Sequence, residues 1–178
     1  ERASYDFLSQ LYNRSTFERE LKSEIERSAH SKVAVLFIDV DDFKFINDRF
    51  GHSVGDEVIK YVAGCIKQRV QGSGFAGRFG GDEFVLCITD PKQIEEIESL
   101  SLDLIDELYE GYHSELANVS INVKASIGIA FYPEHGDDSN KVVAAADEAM
   151  YFVKKNGKAN YHIYQPEDSE MEDLQHTL

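Results

Sequence analysis

The stretch GFAGRFGGDEFVLCIT, residues 74–89, places Gly80-Gly81 between two short runs of strand character. A glycine pair at that spacing signals a tight hairpin, with positive φ expected at the turn. The two runs must therefore be antiparallel neighbours in one sheet. Most other strand-like segments are separated by helix-like ones. KVAVLFIDV, residues 32–40, is too apolar and β-branched for a surface helix and reads as a central strand buried on both faces. Helices in the intervals with a hairpin among the strands mean an α+β fold. The sheet is mixed and mostly antiparallel, with helices packed on it, rather than doubly wound and parallel.

The helices are legible from period and punctuation. Ser15-x-x-Glu18 matches a capping box and opens a helix with Phe17, Leu21, Ile25 and Ser28 on one face. Val54, Val58, Val62, Cys65 and Ile66 mark a helix running from Ser53 to Val70. Asp90-Pro91 starts a third, with Ile94, Ile97, Leu100, Leu104 and Leu108 inward. Asp138 or Ser139 starts a fourth, with Val142, Ala146, Ala149, Met150 and Val153 inward. Residues 119–133 alternate as a strand with a bend expected near Gly128, and YHIYQ, residues 161–165, forms a last short strand. One domain over residues 1–165 is expected, followed by an acidic, unpatterned and disordered tail at 166–178.

Acids outnumber bases 33 to 18, a net charge of −15. Such a surface repels nucleic-acid backbones, and a phosphate ligand needs a local basic cluster or a metal to overcome the field. Cys65 and Cys87 fall inside apolar segments and read as buried, reduced thiols, which suits a cytoplasmic domain. No membrane-length apolar run is present, so no membrane contact by this domain is expected. The chain starts with Glu rather than Met, which suggests a domain excised from a larger protein, itself free to be membrane-anchored.

The chemistry concentrates at strand ends. Asp39 closes the buried strand, with Asp41 and Asp42 just beyond it, and Asp82 and Glu83 sit at the hairpin turn. A carboxylate leaving a buried strand is costly unless paired or metal-bound. With the hairpin beside the central strand, Asp39 and the turn acids converge at one sheet edge. Hard oxygen donors of this kind suit Mg²⁺ or Mn²⁺. Asp41 or Asp42 alone reads more simply as a solvated turn residue. Gly80 and Gly81 would also let a large ligand approach the backbone.

RFGGDEF, residues 78–84, resembles the signature of the GGDEF diguanylate cyclases. Four further segments are similar to motifs of that family, in order: DFLSQLYNR (6–14), FIDVDDFKFINDRFGHSVGD (37–56), SIGIA (126–130) and ADEAMYFVKKNGKAN (146–160). The resemblance covers residues 5–164. It implies a fold similar to the palm of polymerases and adenylate cyclases. It also implies condensation of two GTP into cyclic di-GMP and two pyrophosphates by a homodimer with one GTP per subunit.

Position by position, the resemblance implies that Asp39 and Asp82 hold the divalent metals, with the Val40 carbonyl as a backbone ligand. Glu83 acts at the metal or at the attacking hydroxyl, and Asp82 as proton acceptor is also open. Asn47 and Asp56 read guanine, since a carboxylate accepts from its N1–H and exocyclic amine and adenine offers no such pair. His52 lies beside the nucleotide, and Gly80 and Gly81 under it. Lys44, Lys154 and Lys158 contact the triphosphate. Arg78 supports the hairpin or reaches across the dimer.

The chain departs from the family pattern at four places. Lys158 replaces the usual arginine and Ala159 the usual asparagine. Ser9 and Gln10 replace threonine and glycine in the opening motif, where an upstream sensor or signalling segment would join. The R-x-x-D product-inhibition site is missing, since Gln71 and Gly74 stand at its charged positions. The rival readings are a catalytically weak GTP-binding regulatory domain, a cyclase making a mixed cyclic GMP–AMP, and a dimerisation scaffold. The intact hairpin opposes the first, Asp56 the second, and the acids, glycines and lysines at strand ends the third.

Overall fold

A computed structural model describes residues 3–27 and 32–169. Five strands form the main sheet in the order β2-β3-β1-β6-β7. β1 (Val33–Val40) lies at the centre, antiparallel to both β3 (Glu83–Thr89) and β6 (Ala125–Tyr132). β2 (Gly74–Gly80) continues the antiparallel pairing as one edge, and β7 (Tyr161–Ile163) adds to β6 in parallel at the other. The mixed, mostly antiparallel α+β sheet expected from the sequence is present.

β1 is buried on both faces, as its unbroken apolar run requires. Ala34, Leu36, Ile38 and Val40 pack with α3 (His52–Val70) and α4 (Ile94–Glu110). Val33, Val35 and Phe37 pack on the opposite face with Phe17 and Leu21 of α1 (Arg14–Arg27) and Val142, Ala146 and Met150 of α5 (Ser139–Lys155). A short α2 (Phe43–Phe50) connects β1 to α3. A two-stranded ribbon, β4 (Tyr112–Ser114) with β5 (Val119–Ile121), sits apart from the main sheet. Among the described residues, no helix is long and apolar enough to cross a membrane.

Several local expectations are corrected. The first helix is capped by Asn13, whose Oδ1 accepts from the Thr16 amide at 2.9 Å. Ser15 lies inside the first turn, and Glu18 is taken by the Arg14 guanidinium at 2.8 Å instead of reaching back to a cap. Ser28, expected on the buried face, lies outside the described residues. Asp90 precedes α4 in a left-handed conformation (φ 48°), and the helix starts at Ile94, which is itself exposed. Asp138 does cap α5, accepting from the Lys141 amide at 2.8 Å.

The 119–133 segment is not one strand. It breaks at residues 122–124, and β6 then runs straight through Gly128, paired on both sides. Gly128 serves packing rather than bending. A Cβ there would fall 2.0 Å from the Ala146 carbonyl oxygen and 2.1 Å from the Met150 amide, so α5 rests directly on the sheet backbone. Residues 166–169, expected within the tail, form a helical turn. The buried Asp168 caps it by accepting from the Gln165 amide and meets His162 Nε2 at 3.1 Å. Residues 170–178 lie outside the described residues.

Candidate active site

The hairpin places the acids as its sequence suggests. Asp39 is directly opposite Glu83 on one side and Ser126 on the other. The Val40 amide donates to the Asp82 carbonyl at 3.1 Å, which fastens the turn to the end of β1. The mechanism offered for the glycine pair is corrected, however. Neither Gly80 nor Gly81 takes a left-handed φ, and the register shifts between Arg78 and Gly80. What the glycines leave is space. A Cβ on Gly81 would meet nothing within 4 Å, and one on Gly80 would meet only Glu83 Oε1, at 3.1 Å.

The electrostatics of the cleft are unfavourable by themselves. Asp39 Oδ1 is buried without a hydrogen-bond partner, and the nearest cation, Lys154 Nζ, stands 3.4 Å away as an ion pair only. Burial, together with a hydrogen bond and charge repulsion from Asp82, pushes Asp39 up to about 7 despite Lys154. Burial and the Asp82 charge raise Glu83 as well, against Arg14 and Lys154. An orphaned buried oxygen among crowded carboxylates, all hard donors, fits a divalent cation of the Mg²⁺ or Mn²⁺ class. Among the described residues, no three Asp, Glu, His or Cys side chains form a cage alone. Such an ion would need ligands from water and substrate as well, which is the habit of Mg²⁺.

Asp41 is not a solvated turn residue. Its side chain is fully buried, and it accepts from Ser126 Oγ at 2.7 Å, Lys154 Nζ at 2.6 Å and the Ala159 amide at 2.9 Å. Asp42 is exposed, at φ 57°, and Lys158 Nζ donates to it at 2.9 Å, which holds its carboxyl below the usual range. Two of the three lysines expected at a triphosphate, Lys154 and Lys158, thus rest on carboxylates.

The residues expected to read a base are also gathered. Gly55 of α3 has no room for a side chain, because a Cβ would fall 1.8 Å from Asn47 Oδ1 of α2. Asn47 is therefore seated against α3, beside the exposed Asp56. His52 is exposed one turn before Asp56, and Lys44 is exposed one turn before Asn47. α2, which sequence patterning missed, carries both Lys44 and Asn47.

Arg78 takes up one of the two roles expected of it. Its guanidinium donates to the Gly81 carbonyl at 2.7 Å and the Gly80 carbonyl at 3.2 Å, so it supports the hairpin from within the chain. It also meets Asp6 at 3.2 Å, and Asp6 in turn accepts from the Ser9 amide at 2.8 Å. The opening motif is thereby tied to the hairpin. A cavity of 410 Å³ between α1 and α5, lined by Arg14, Phe37, Phe79 and Asp147, reaches Glu83. A cavity of 810 Å³ lies elsewhere along α1 and α5 and touches none of the acids at the hairpin.

Comparison with known proteins agrees with this geometry. The family model described as "Diguanylate cyclase, GGDEF domain" matches residues 3–160. The diguanylate cyclase TpbB of Pseudomonas aeruginosa is 33% identical over 174 residues, covering 93% of this chain and 38% of that protein. The solved GGDEF domain of TpbB superposes with a TM-score of 0.90 at 30% identity, covering 96% of this chain and 99% of that one. The GGDEF domain of DgcB from Caulobacter crescentus, solved in complex with c-di-GMP, gives a TM-score of 0.85 at 27% identity, covering 92% and 96%. The cyclic di-GMP phosphodiesterase PdeR of Escherichia coli is 30% identical over 165 residues, covering 93% of this chain and 24% of that protein. The chain spans well under half the length of these curated relatives. It belongs to the GGDEF domain family of diguanylate cyclases.

Proposed function

We propose that this domain condenses two GTP into cyclic di-GMP and releases two pyrophosphates, acting as a homodimer with one GTP in each subunit. The observation that carries the reading is the orphaned Asp39 Oδ1 beside Asp82 and Glu83, under a hairpin whose glycines leave open space. Each 3′-hydroxyl oxygen bonds to the α-phosphorus of the partner's GTP, and the bond from that phosphorus to the pyrophosphate oxygen breaks. The hydroxyl proton passes to Asp82 or Glu83, both at the turn. Asp39, Asp82 and the Val40 carbonyl would hold the divalent cation, which when bound would stabilise charge on the reacting phosphate and the leaving pyrophosphate.

Asn47 and Asp56 select guanine through its N1–H and amine. His52 flanks the nucleotide, while Lys44, Lys154 and Lys158 meet the triphosphate. The α3–β2 turn offers glutamine and glycine where an inhibitory site needs arginine and aspartate, so the product does not inhibit there. The substrate places the domain in the cytoplasm, joined to an upstream sensor in the parent protein.

A second reading, a catalytically weak GTP-binding regulatory domain, is favoured by one observation: a relative of similar identity is named a phosphodiesterase. Mass analysis of products from GTP and Mg²⁺ decides between them, with Asp82→Ala and ATP as controls. Cyclic di-GMP from the wild type alone supports the cyclase. Metal-dependent GTP binding with no product, even when a fused coiled coil enforces dimerisation, supports the regulatory reading.

A further inference from the structure

Two carboxylates, two residues apart at the end of β1, have opposite environments. Asp39 has an oxygen with no hydrogen-bond partner, whereas Asp41 is satisfied by an ammonium, a hydroxyl and a backbone amide. A fully buried carboxylate is stable only with such partners, so the Asp41–Lys154 pair is a fixed part of the fold. Lys154 Nζ sits 2.6 Å from Asp41 and 3.4 Å from Asp39. An ammonium has three donors, and Asp41 uses one. The lysine therefore does not depend on Asp39 and keeps its place when Asp39 turns to a cation.

The same carboxylate reaches the second lysine through the backbone. Asp41 Oδ2 accepts from the Ala159 amide, which anchors a turn in which Lys158 and Ala159 are both left-handed (φ 62° and 49°). Such conformations are strained for non-glycine residues and persist only when their surroundings hold them. The Asp41 contact is one such hold.

We infer that Asp41 is a positioning residue for the phosphate end of the site, fixing Lys154 directly and Lys158 through the Gly157–Ala159 turn. This rests on the reading of the site as a triphosphate site. It divides the labour of the two aspartates: Asp39 is left free for a cation, and Asp41 serves the lysines.

The test is a double-mutant cycle on the full chain, run in a Lys158→Met background so that only the Lys154 route is read, with Asp41→Asn, Lys154→Met and both together. The probe is 3′-deoxy-GTP with Mg²⁺, which lacks the attacking hydroxyl, and the readout is its calorimetric Kd. Each single change is expected to weaken binding about tenfold, the worth of one charge-assisted contact, and the double change also about tenfold. A merely structural role for Asp41 would instead give additive losses, about hundredfold in the double variant. That result, or no loss of affinity on adding Asp41→Asn to Lys158→Met, overturns the inference alone. No binding by the wild type overturns the site reading and the inference with it.

Thermal unfolding supplies a second measurement. Lys154→Met leaves the buried Asp41 charge unpaired and lowers Tm, and adding Asp41→Asn restores part of the loss. A further drop on adding Asp41→Asn counts against the inference. If Asp41→Asn does not fold, Ser126→Ala, which removes one donor to Asp41, takes its place in the cycle. A loss of affinity that vanishes in the Lys154→Met background then supports the inference, and one that persists there overturns it.

Discussion

Replacing Asp39 by asparagine should make the metal-free chain more stable above neutral pH while abolishing its chemistry. The unfolded carboxyl ionises near 3.8, and in the folded chain burial and Asp82 push it up to about 7. Between those values the folded state binds more protons than the unfolded one, so this group loses stability as pH rises and the loss is complete above the folded value. Three pH units at the usual conversion set a ceiling of about 4 kcal/mol. The side chain is 19% exposed at the mouth of the cleft, and water there screens the repulsion, which leaves about 2 kcal/mol. Asparagine is nearly isosteric and uncharged, and Lys154 keeps Asp41, so the variant escapes this penalty. Melting in chelator from pH 5 to 8.5 should show the two proteins converging at the acid end. At pH 8 the variant should lead by about 6 °C, given the size of the domain. A variant equal to or less stable than wild type at pH 8, with a parallel pH profile, would refute the claim that this cleft stores carboxylate repulsion.

The remaining predictions address other parts of the molecule. Gly128→Ala should prevent stable folding, a cost above about 3 kcal/mol, because the added carbon overlaps the backbone of α5; soluble yield and circular dichroism measure it. Ala159→Asn should stabilise the chain by about 0.5–1 kcal/mol in urea unfolding, since asparagine tolerates the left-handed region that Ala159 occupies at φ 49°. Asp56→Ser should raise KM for GTP at least about tenfold and narrow the preference over ATP, with kcat less affected. Titration with cyclic di-GMP should show no tight site that depends on Gln71 or Gly74.

How far the sequence carries depends on whether the determining contact is local. β1 was legible because a strand buried on both faces must be apolar throughout, and Asp138 because its capping partner is three residues away. The convergence of Asp39 with the turn acids followed from the hairpin and one adjacency. The cap falls on Asn13 rather than Ser15 because Arg14 captures Glu18, a side-chain choice that the capping-box spacing does not show. α2 is only eight residues long, with one buried residue, Ile46, so it has almost no period to read. The burial of Asp41 is set by Ser126 and Ala159, 85 and 118 residues away, and no spacing rule reaches that far. The glycine pair shows the opposite failure: the hairpin is present, but without the positive φ expected of its glycines.

The backbone of Tyr12 bridges the outer side of β2, donating to the Ala76 carbonyl at 3.2 Å and accepting from the Arg78 amide at 2.9 Å. The chain thus spends its own opening segment as a partial extra strand on an edge that would otherwise display unpaired donors and acceptors. The opposite edge, β7, is three residues long. Neither border of the sheet offers a long template for strand-to-strand addition. The pairing of copies proposed above would then run through side-chain surfaces, which would leave them free to part and to re-form in a different orientation. A shared sheet would forbid that freedom, on which the proposed reaction between subunits would depend.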